Sequence, residues 1–409
     1  MDFDDRPEDA AWRAEARAWI EAHRPDIESL PADDNYMGTP SHYAMARAWQ
    51  ALKAERGYAC LSWSKDWGGA GESATRQLIF NQEEARAGIG FTYFMVGLGM
   101  CVPVVMQFCD QATRERFRGP AISGQELWVQ LFSEPSGGSD VAAARTRAVR
   151  EPGAGDWIVN GQKVWTSTGH LGAFGLLTTR TNLDAPKHKG LTVFWVDMNT
   201  PGLEVRPIHQ MSGDHEFSEV FLNDVRIPDS QRVGDVNGGW KVILATLMNE
   251  RLTLSGTTGI SWPDIMHLAS QTPAAGGATV LDDPAFRERL ADYYVTTEAV
   301  RLLSFRVQTS LAKGATPGPE SSMGKLLWVT QTQALTHHAL ELQGSMGLVN
   351  DASEAASLAA MQRRWLWSPG LRLGGGTDEI LRNIIAERML GLPGEPRLDK
   401  DVPFRDIPS

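Results

Sequence analysis

The chain has 409 residues, 42% of them hydrophobic and 22% charged, and its formal net charge is −11 at pH 7. This composition predicts a globular protein with a large core and two or three domains. The acidic balance argues against a nucleic-acid surface, although a local basic pocket for phosphates stays open. Three scattered cysteines, and an acidic first segment without a leader pattern, indicate a reducing cytoplasm rather than a disulfide framework, a zinc cluster or export.

Residues 1–126 are predicted to form a helical first domain. Three segments have helical composition, and Ser73 is the candidate N-cap of the third one. These segments are residues 11–23, 41–56 and 73–87. The apolar stretch 91–109 is about as long as a membrane span. Because two glycines and Pro103 interrupt it, we expect a buried helix pair that is broken near Pro103.

A change to short apolar runs predicts a second domain, residues 127–238, built as an antiparallel β-barrel or sandwich. The runs are residues 127–132, 157–165, 176–180, 191–197, 203–208 and 219–221. Within the second run, Asn160 and Gly161 form the residue pair that favours a tight hairpin turn. We therefore expect a turn at that position.

From residue 239 onward the pattern is helical again, and it predicts a third domain, residues 239–409, built as an antiparallel helix bundle. The candidate helices are residues 240–256, 284–313, 323–342, 353–367 and 378–390. The order of helices, strands and helices makes the predicted fold class α+β.

The common catalytic and nucleotide-binding motifs are absent, because the sequence has no P-loop, no GxGxxG after a strand, no HExxH and no GxSxG. His337 and His338 are adjacent on a predicted helix, so they point in different directions and make a poor metal-ligand pair. We predict no metal site. Any nucleotide or flavin site has to be assembled from loops and strand ends.

Near the end of the chain, three glycines and a threonine, residues 374–377, precede an amphipathic helix. Backbone N–H groups at a helix N-terminus are free to donate, and glycines let a ligand approach the main chain. The turn therefore suits a polar or anionic group. The pattern alone, however, favours a packed helix behind a loop.

This turn resembles the C-terminal signature of the acyl-CoA dehydrogenase family, flavoproteins that desaturate acyl-CoA thioesters. In the best-known members the turn carries the catalytic glutamate, at a position where this chain has Gly375. The resemblance implies that Thr377 and Glu379 contact FAD, and that the backbone N–H of Gly375 still donates to the thioester oxygen. It also implies the family architecture of helices, a small β domain and a four-helix bundle.

The stretch 132–140, FSEPSGGSD, resembles the loop that borders the flavin and the acyl-CoA in this family. The resemblance implies that Phe132 and Ser133 contact FAD, with the Ser133 hydroxyl at the edge of the isoalloxazine. It places Ser139 near the pantetheine of the substrate. Without the resemblance, the stretch is an ordinary glycine turn.

The stretch 163–167, KVWTS, resembles the strand that faces the flavin. The resemblance implies that Trp165 packs against the flavin and that Ser167 lies near its N5 atom. An indole supplies a flat apolar wall, and a hydroxyl near N5 helps to stabilise the reduced flavin. Taken alone, Trp165 is an unremarkable strand tryptophan.

A candidate for the missing base is Glu250, followed by Arg251, on the predicted helix 240–256. Taken alone, the two residues are typical of a solvated charge pair. Family members that act on branched, long-chain or steroid side-chain thioesters carry their base on this helix, while the usual position is small. The resemblance therefore implies that Glu250 removes the α-proton while the β-carbon delivers hydride to flavin N5. It also implies that Arg251 lies near the substrate.

Two departures from the family pattern concern FAD. Residues 268–277 contain neither the arginine nor the phenylalanine of an element that reaches the FAD of a neighbouring subunit. At Glu341, three residues before Gly344 in the expected FAD site, a carboxylate replaces the glutamine that bonds the pyrophosphate. An unpaired carboxylate there is unfavourable. Both departures predict an altered FAD stoichiometry, as in family members built as α2β2 tetramers.

The sequence therefore predicts an FAD-dependent dehydrogenase that converts an acyl-CoA thioester of long, branched or steroid side-chain type to the trans-2-enoyl-CoA. The resemblance implies electron-transferring flavoprotein as the onward acceptor, and either a homotetramer or an α2β2 heterotetramer. No nucleic-acid or membrane partner is predicted. Two alternatives stay open, namely a flavin oxidase or monooxygenase on the same fold and a non-catalytic subunit of a heteromeric acyl-CoA dehydrogenase.

Overall fold

The computed structural model describes residues 5–30, 37–153, 155–253, 260–312, 318–349 and 359–407. The chain divides into two compact units. The first unit contains Met1–Gln210, Asp214–Thr253 and Pro396–Ser409, and the second contains Met211–Gly213 and Leu254–Glu395. The second unit is therefore inserted, in sequence, between parts of the first.

Helices form the first part of the first unit. They are α1 Pro7–Glu28, α2 Pro40–Arg56, α3 Ala74–Arg86, α4 Tyr93–Val96, α5 Val102–Phe108 and α6 Gln111–Ile122. The predicted N-cap is confirmed, because the side chain of Ser73 accepts a hydrogen bond from the backbone N–H of Arg76 at the start of α3. Asp110 caps α6 in the same way, through the N–H of Thr113.

The apolar stretch 91–109 is not one continuous α-helix. A π-helical turn, Gly97–Cys101, lies between α4 and α5, and Pro103 is in the first turn of α5. The helix is thus irregular just before Pro103, but its backbone angles stay helical, so the stretch is not broken into the predicted pair of helices. Within the described part of the chain, no helix has both the length and the apolar character that a membrane crossing requires.

An eight-stranded sheet follows in the first unit. Its strands are β1 Trp128–Leu131, β2 Arg147–Arg150, β3 Trp157–Ser167, β4 Phe174–Arg180, β5 Leu191–Asp197, β6 Leu203–Ile208, β7 Phe217–Ile227 and β8 Arg232–Val233. The order is β6-β7-β3-β2-β4-β5-β8, with β1 beside β4. β1 and β2 each pair with β4 in parallel. The sheet is therefore mixed rather than antiparallel throughout, because the long connection after β1 brings the chain back to β4 in the same direction.

The hairpin turn predicted at Asn160 and Gly161 is wrong, because both residues lie inside the continuous strand β3. An added Cβ at Gly161 would stand 2.5 Å from Oγ1 of Thr146, so the glycine allows a close approach of the neighbouring chain rather than a turn. The Asn160 side-chain amide donates to Oδ1 of Asp224 at 2.9 Å. The pair serves cross-strand contact.

Two groups of helices follow the sheet. Helix α7, Gly239–Thr253, belongs to the first unit, whereas the second unit contains α8 Trp262–Gln271, α9 Pro284–Ala312, α10 Ser321–Gln343, α11 Ala359–Leu371 and α12 Asp378–Arg388. Ile265, Phe286 and Leu335 are in the apolar core of the second unit. Residues 353–358 of one predicted helix lie outside the described residues. The predicted fold class, with helices before and after a sheet domain, is confirmed.

A charge cluster ties α1 to α3 in the first unit. The carboxylate of Glu83 is buried and accepts hydrogen bonds from Arg13 at 3.0 Å, Arg17 at 2.8 Å and Arg86 at 2.9 Å. Its pKa falls to about 2, because the Arg17 hydrogen bond and the other two guanidinium groups outweigh burial, which raises the pKa. A depressed pKa means that the ionised carboxylate stabilises the folded state.

We expect Glu83→Gln to lower the free energy of unfolding by about 2 kcal/mol at pH 7, because a charge-assisted contact is lost. The unfolded carboxyl has an ordinary pKa near 4.5, so the difference between parent and variant should be full above that pH and should vanish as the pH falls toward 2. Urea unfolding at several pH values measures it. The control is Glu21→Gln, which removes an exposed partner of the same Arg86 and should cost little.

Candidate active site

The loop after β1 is fixed to β3 by a buried ion pair. The side chains of Lys163 and Glu134 are 0% and 5% exposed, and Nζ of Lys163 lies 2.7 Å from Oε1 of Glu134. The same carboxylate accepts hydrogen bonds from the backbone N–H groups of Arg145 at 2.6 Å and Thr146 at 2.9 Å. These contacts offset the free-energy cost of burying the two charges, because a buried charge without partners is destabilising.

Lys163 holds the residues on both sides of Ser133. Its ammonium donates to the carbonyl oxygen of Phe132 at 3.2 Å as well as to the Glu134 carboxylate. The backbone N–H of Val164 donates to the carbonyl oxygen of Ser133 itself at 3.0 Å. Ser133 is therefore clamped directly beside the strand residues that precede Trp165.

The pKa values of the pair reflect its burial. Burial raises the pKa of Glu134, but Lys163 and the hydrogen bonds from residues 145 and 146 outweigh that effect and hold it below its usual value. Burial lowers the pKa of Lys163, and the Glu134 carboxylate opposes this change. Lys163 therefore favours the ionised form of the Glu134 carboxylate.

Trp165 is turned to the outside by a bulge in β3. Trp157, Val159 and Lys163 are buried, so a regular strand would also bury residue 165, because side chains alternate with a period of two. The pairing of β3 with β7 shifts between Lys163 and Thr166, and Thr166 becomes the buried residue instead. The indole of Trp165 is consequently 59% exposed.

The backbone at Trp165 is unusual as well, with φ of 60°. A bulky residue in the left-handed region costs about 1–2 kcal/mol, and such strain is found where function needs a defined orientation. The ring of Phe217 on β7 supports the indole edge to face, with the ring centroids 5.9 Å apart. One broad face of an indole held in this way is suited to contact a planar ligand.

We expect Lys163→Met to destabilise the protein by about 3–5 kcal/mol, because it leaves a buried carboxylate without its cation. Lys163→Met combined with Glu134→Gln should be less destabilised than the single variant, since the uncompensated charge is gone. Urea unfolding measures both effects. Lys189→Met, at an exposed lysine, is the control. Equal stability of Lys163→Met and the control would contradict the importance of the pair.

In the second unit, the glycine turn before α12 is fixed at both ends. Arg372 donates from Nε to Oδ2 of Asp378 at 2.6 Å, and Nζ of Lys325 donates to the carbonyl oxygen of Gly376 at 2.7 Å. Gly375 and Gly376 have φ of 68° and 96°, which glycine adopts without strain. The turn therefore has a defined shape that presents its main chain.

Thr377 is the N-cap of α12, because its hydroxyl accepts a hydrogen bond from the N–H of Ile380. Glu379 lies exposed in the first helical turn. The expectation of a glycine turn that leads into a helix N-terminus is thus confirmed. The roles of Gly375, Thr377 and Glu379 toward a ligand stay predictions.

Glu341 lies beside two histidines on α10. Its carboxylate is 3.6 Å from Nε2 of His337 and 3.4 Å from Nε2 of His338, and the side chain is 54% exposed. Burial lowers the pKa of His338, so this imidazole does not readily supply a positive charge. Gly344, the next predicted FAD contact, ends α10 with φ of 55°. Their contacts with FAD stay predictions.

The predicted site residues are divided between the two units. Phe132, Ser133, Trp165 and Ser167 lie on adjoining segments of the first unit. Ser139 is exposed farther along the same loop. Gly375, Thr377, Glu379, Glu341 and Gly344 belong to the second unit. The side chains of Glu250 and Arg251, on α7, lie outside the described residues.

Sequence reasoning missed the residues that orient the site. The motifs indicate no role for Lys163 and Glu134, and nothing in them points to Lys325 or Arg372. For Lys163 a signal existed, because it stands in the same alternation as the apolar Trp157 and Val159, and a lysine in that inward register needs a buried anion. For Lys325, 51 residues before its partner, no local signal existed.

Three consecutive parts of the chain match family models for acyl-CoA dehydrogenases. Residues 6–125 match the N-terminal domain, residues 130–225 the middle domain and residues 237–390 the C-terminal domain. The chain belongs to the acyl-CoA dehydrogenase family. The resemblance drawn from the motifs is confirmed, and the family consists of oxidoreductases that act on acyl-CoA.

Individual acyl-CoA dehydrogenases are similar over most of the chain. Acyl-CoA dehydrogenase FadE34 of Mycobacterium tuberculosis is 37% identical over 84% of this chain, which spans about half, 46%, of that relative's length. Acyl-CoA dehydrogenase IpdE1 of Mycolicibacterium smegmatis is 34% identical over 94% of this chain and 98% of its own length.

Solved structures agree with this membership. The Tcur3481-Tcur3483 steroid ACAD has a TM-score of 0.81 at 27% identity, covering 97% of this chain and 100% of that one. The ChsE4-ChsE5 complex from Mycobacterium tuberculosis has a TM-score of 0.79 at 28% identity, with coverage of 97% and 100%. The second of these structures is named as a complex.

Proposed function

We propose that the protein catalyses the FAD-dependent α,β-dehydrogenation of an acyl-CoA thioester to the trans-2-enoyl-CoA. The observation that carries the proposal is the exposed, strained indole of Trp165 on the strand whose Val164 N–H holds the main chain of Ser133. Such an arrangement fits a flavin in a chain of this family. The relative called a steroid ACAD supports a long, branched or steroid side-chain acyl group.

The residues in the first unit fit an isoalloxazine. Trp165 offers a flat apolar wall, and hydroxyl groups are offered by Ser167 on the same strand and by Ser133 on the loop that is bonded to that strand. In the second unit, the capped N-terminus of α12 at Thr377 has backbone N–H groups that suit a polar or anionic group. When bound, FAD supplies the hydride acceptor for the β-hydrogen.

The proposed base is Glu250. The resemblance to family members whose base is on this helix, α7, supports the proposal. A carboxylate in apolar surroundings has a raised pKa, which suits the removal of a weakly acidic α-proton. The backbone N–H of Gly375 is the proposed donor to the thioester oxygen.

We infer an assembly in which not every chain holds FAD. The carboxylate of Glu341 replaces the expected glutamine, and a carboxylate beside a pyrophosphate is unfavourable. The similarity to the ChsE4-ChsE5 complex supports an α2β2 tetramer. Electron-transferring flavoprotein is the proposed onward acceptor, and a homotetramer is the alternative.

We expect the purified protein, alone or co-expressed with a partner, to carry FAD. Flavin absorbance per chain, together with the mass of the native particle, measures the stoichiometry. Fewer than one FAD per chain in a mixed tetramer supports the proposed assembly. A preparation without flavin under both conditions contradicts the proposed activity and favours a non-catalytic subunit.

We expect Glu250→Gln to lower the rate of flavin reduction by acyl-CoA by several orders of magnitude, because the amide keeps the size of the side chain but does not accept the proton. Binding of the acyl-CoA should largely survive. Anaerobic flavin bleaching with a thioester that the parent turns over measures the rate. Near-normal bleaching in the variant would show that another group is the base.

A matched variant tests whether Glu250 replaces the catalytic glutamate that other family members have at the position of Gly375. With Glu250 in place, Gly375→Glu should slow bleaching, because two carboxylates near one α-carbon repel each other and crowd the acyl chain. In Glu250→Gln, the same Gly375→Glu change should restore some bleaching with slim straight-chain thioesters. If the double variant recovers no bleaching with any thioester, the hypothesis that positions 250 and 375 can each provide the base is contradicted.

A further inference from the structure

A segment close to the end of the described chain packs on the sheet domain of the first unit. Residues 399–405, which we call the strap, run along the loop between β4 and β5. The N–H of Phe404 donates to the carbonyl oxygen of Ala185 at 3.0 Å, and the N–H of Arg405 donates to that of Leu183 at 3.0 Å. Phe404 is buried. The strap is therefore a fixed part of the first unit.

Lys187 connects the strap to the loop 132–140. Its Nζ atom lies 2.6 Å from Oδ2 of Asp140 and 2.5 Å from Oδ2 of Asp399. Burial lowers the pKa of Lys187, but the two carboxylates more than offset this and raise the pKa above its usual value. The ammonium thus holds together two segments, and Asp140 directly follows Ser139.

Arg180 at the end of β4 makes a second connection to the same place. Its buried guanidinium donates to the carbonyl oxygens of Ala142 at 2.5 Å, Ala144 at 3.2 Å and Lys187 at 2.7 Å. The ring of Phe404 covers it, with 3.7 Å between Cζ and the ring centroid. The residues directly after the loop are therefore fixed from beneath by an arginine that the strap shields from water.

We propose that Lys187, Asp399 and the strap are positioning elements that hold the Asp140 end of the loop, and with it Ser139, in the geometry that binds acyl-CoA. The other end of the loop is held by Lys163 and Glu134. A segment held at both ends loses less conformational entropy when a ligand binds. The role of Ser139 toward acyl-CoA rests on the proposed function, whereas the fixation of the loop does not.

Two variants break the connection at different atoms. Asp399→Asn removes the strap's charge from Lys187, and Lys187→Met removes both ion pairs. Asp399→Glu keeps the charge and should restore the parent behaviour. Arg405→Gln is the matched control. Arg405 is also on the strap, and the change removes its exposed ion pair with Asp184 but leaves Lys187 and the loop 132–140 unaltered.

Hydrogen exchange of the full-length protein is the first measurement, because it needs no turnover. Amides of residues 134–146 should exchange about tenfold faster in Asp399→Asn and Lys187→Met than in the parent, as expected for the loss of a charge-assisted contact. Asp399→Glu and Arg405→Gln should match the parent. Unchanged exchange in this segment in both Asp399→Asn and Lys187→Met overturns the proposal.

Steady-state kinetics with an acyl-CoA that the parent oxidises is the second measurement. KM should rise about tenfold in Asp399→Asn and Lys187→Met while kcat changes much less, because the loop affects binding and not proton removal. A fall in kcat at constant KM overturns the positioning role. If the parent oxidises no acyl-CoA, the proposed function fails, and the exchange result alone decides whether the strap holds the loop.

Discussion

A lysine ammonium without access to water is the constraint on which the candidate site depends. Lys163 is fully buried, so its charge has to be met by Glu134 and by the carbonyl oxygen of Phe132. These two contacts fix the residues on either side of Ser133. The bulge that follows Lys163 turns Trp165 outward. One buried charge thereby sets the position of two side chains that face the surface.

Much of the fold follows from the sequence pattern. The strands 191–197 and 203–208 and most helices lie where the sequence pattern indicates, because β5 is a continuous buried apolar run and β6 alternates partly buried with exposed residues over most of its length. The mixed pairing of β1 with β4 was not predictable, since strand direction depends on long connections and not on local residues. Asn160 and Gly161 misled because a residue pair with turn preference also suits a strand that a neighbour approaches closely.

The site was only partly predictable from sequence. The exposed Trp165 could be named through family resemblance, but a period of two places it in the core, and only the pairing shift explains why it faces outward. The glycine turn before α12 was recognisable from its own residues. The contact of Lys325 with Gly376 spans 51 residues, and no local pattern encodes such a distance.

The strap has a consequence for how the chain is made. Lys187 and Asp399 are 212 residues apart, and the whole second unit lies between them in sequence. Synthesis proceeds from the N-terminus and domains fold as they emerge. The part of the first unit that precedes the inserted unit therefore leaves the ribosome before Phe404 can cover Arg180 and before Asp399 can pair with Lys187. The first unit is completed only after the inserted unit has been translated, so the order of synthesis makes closure of the strap a late step in its folding.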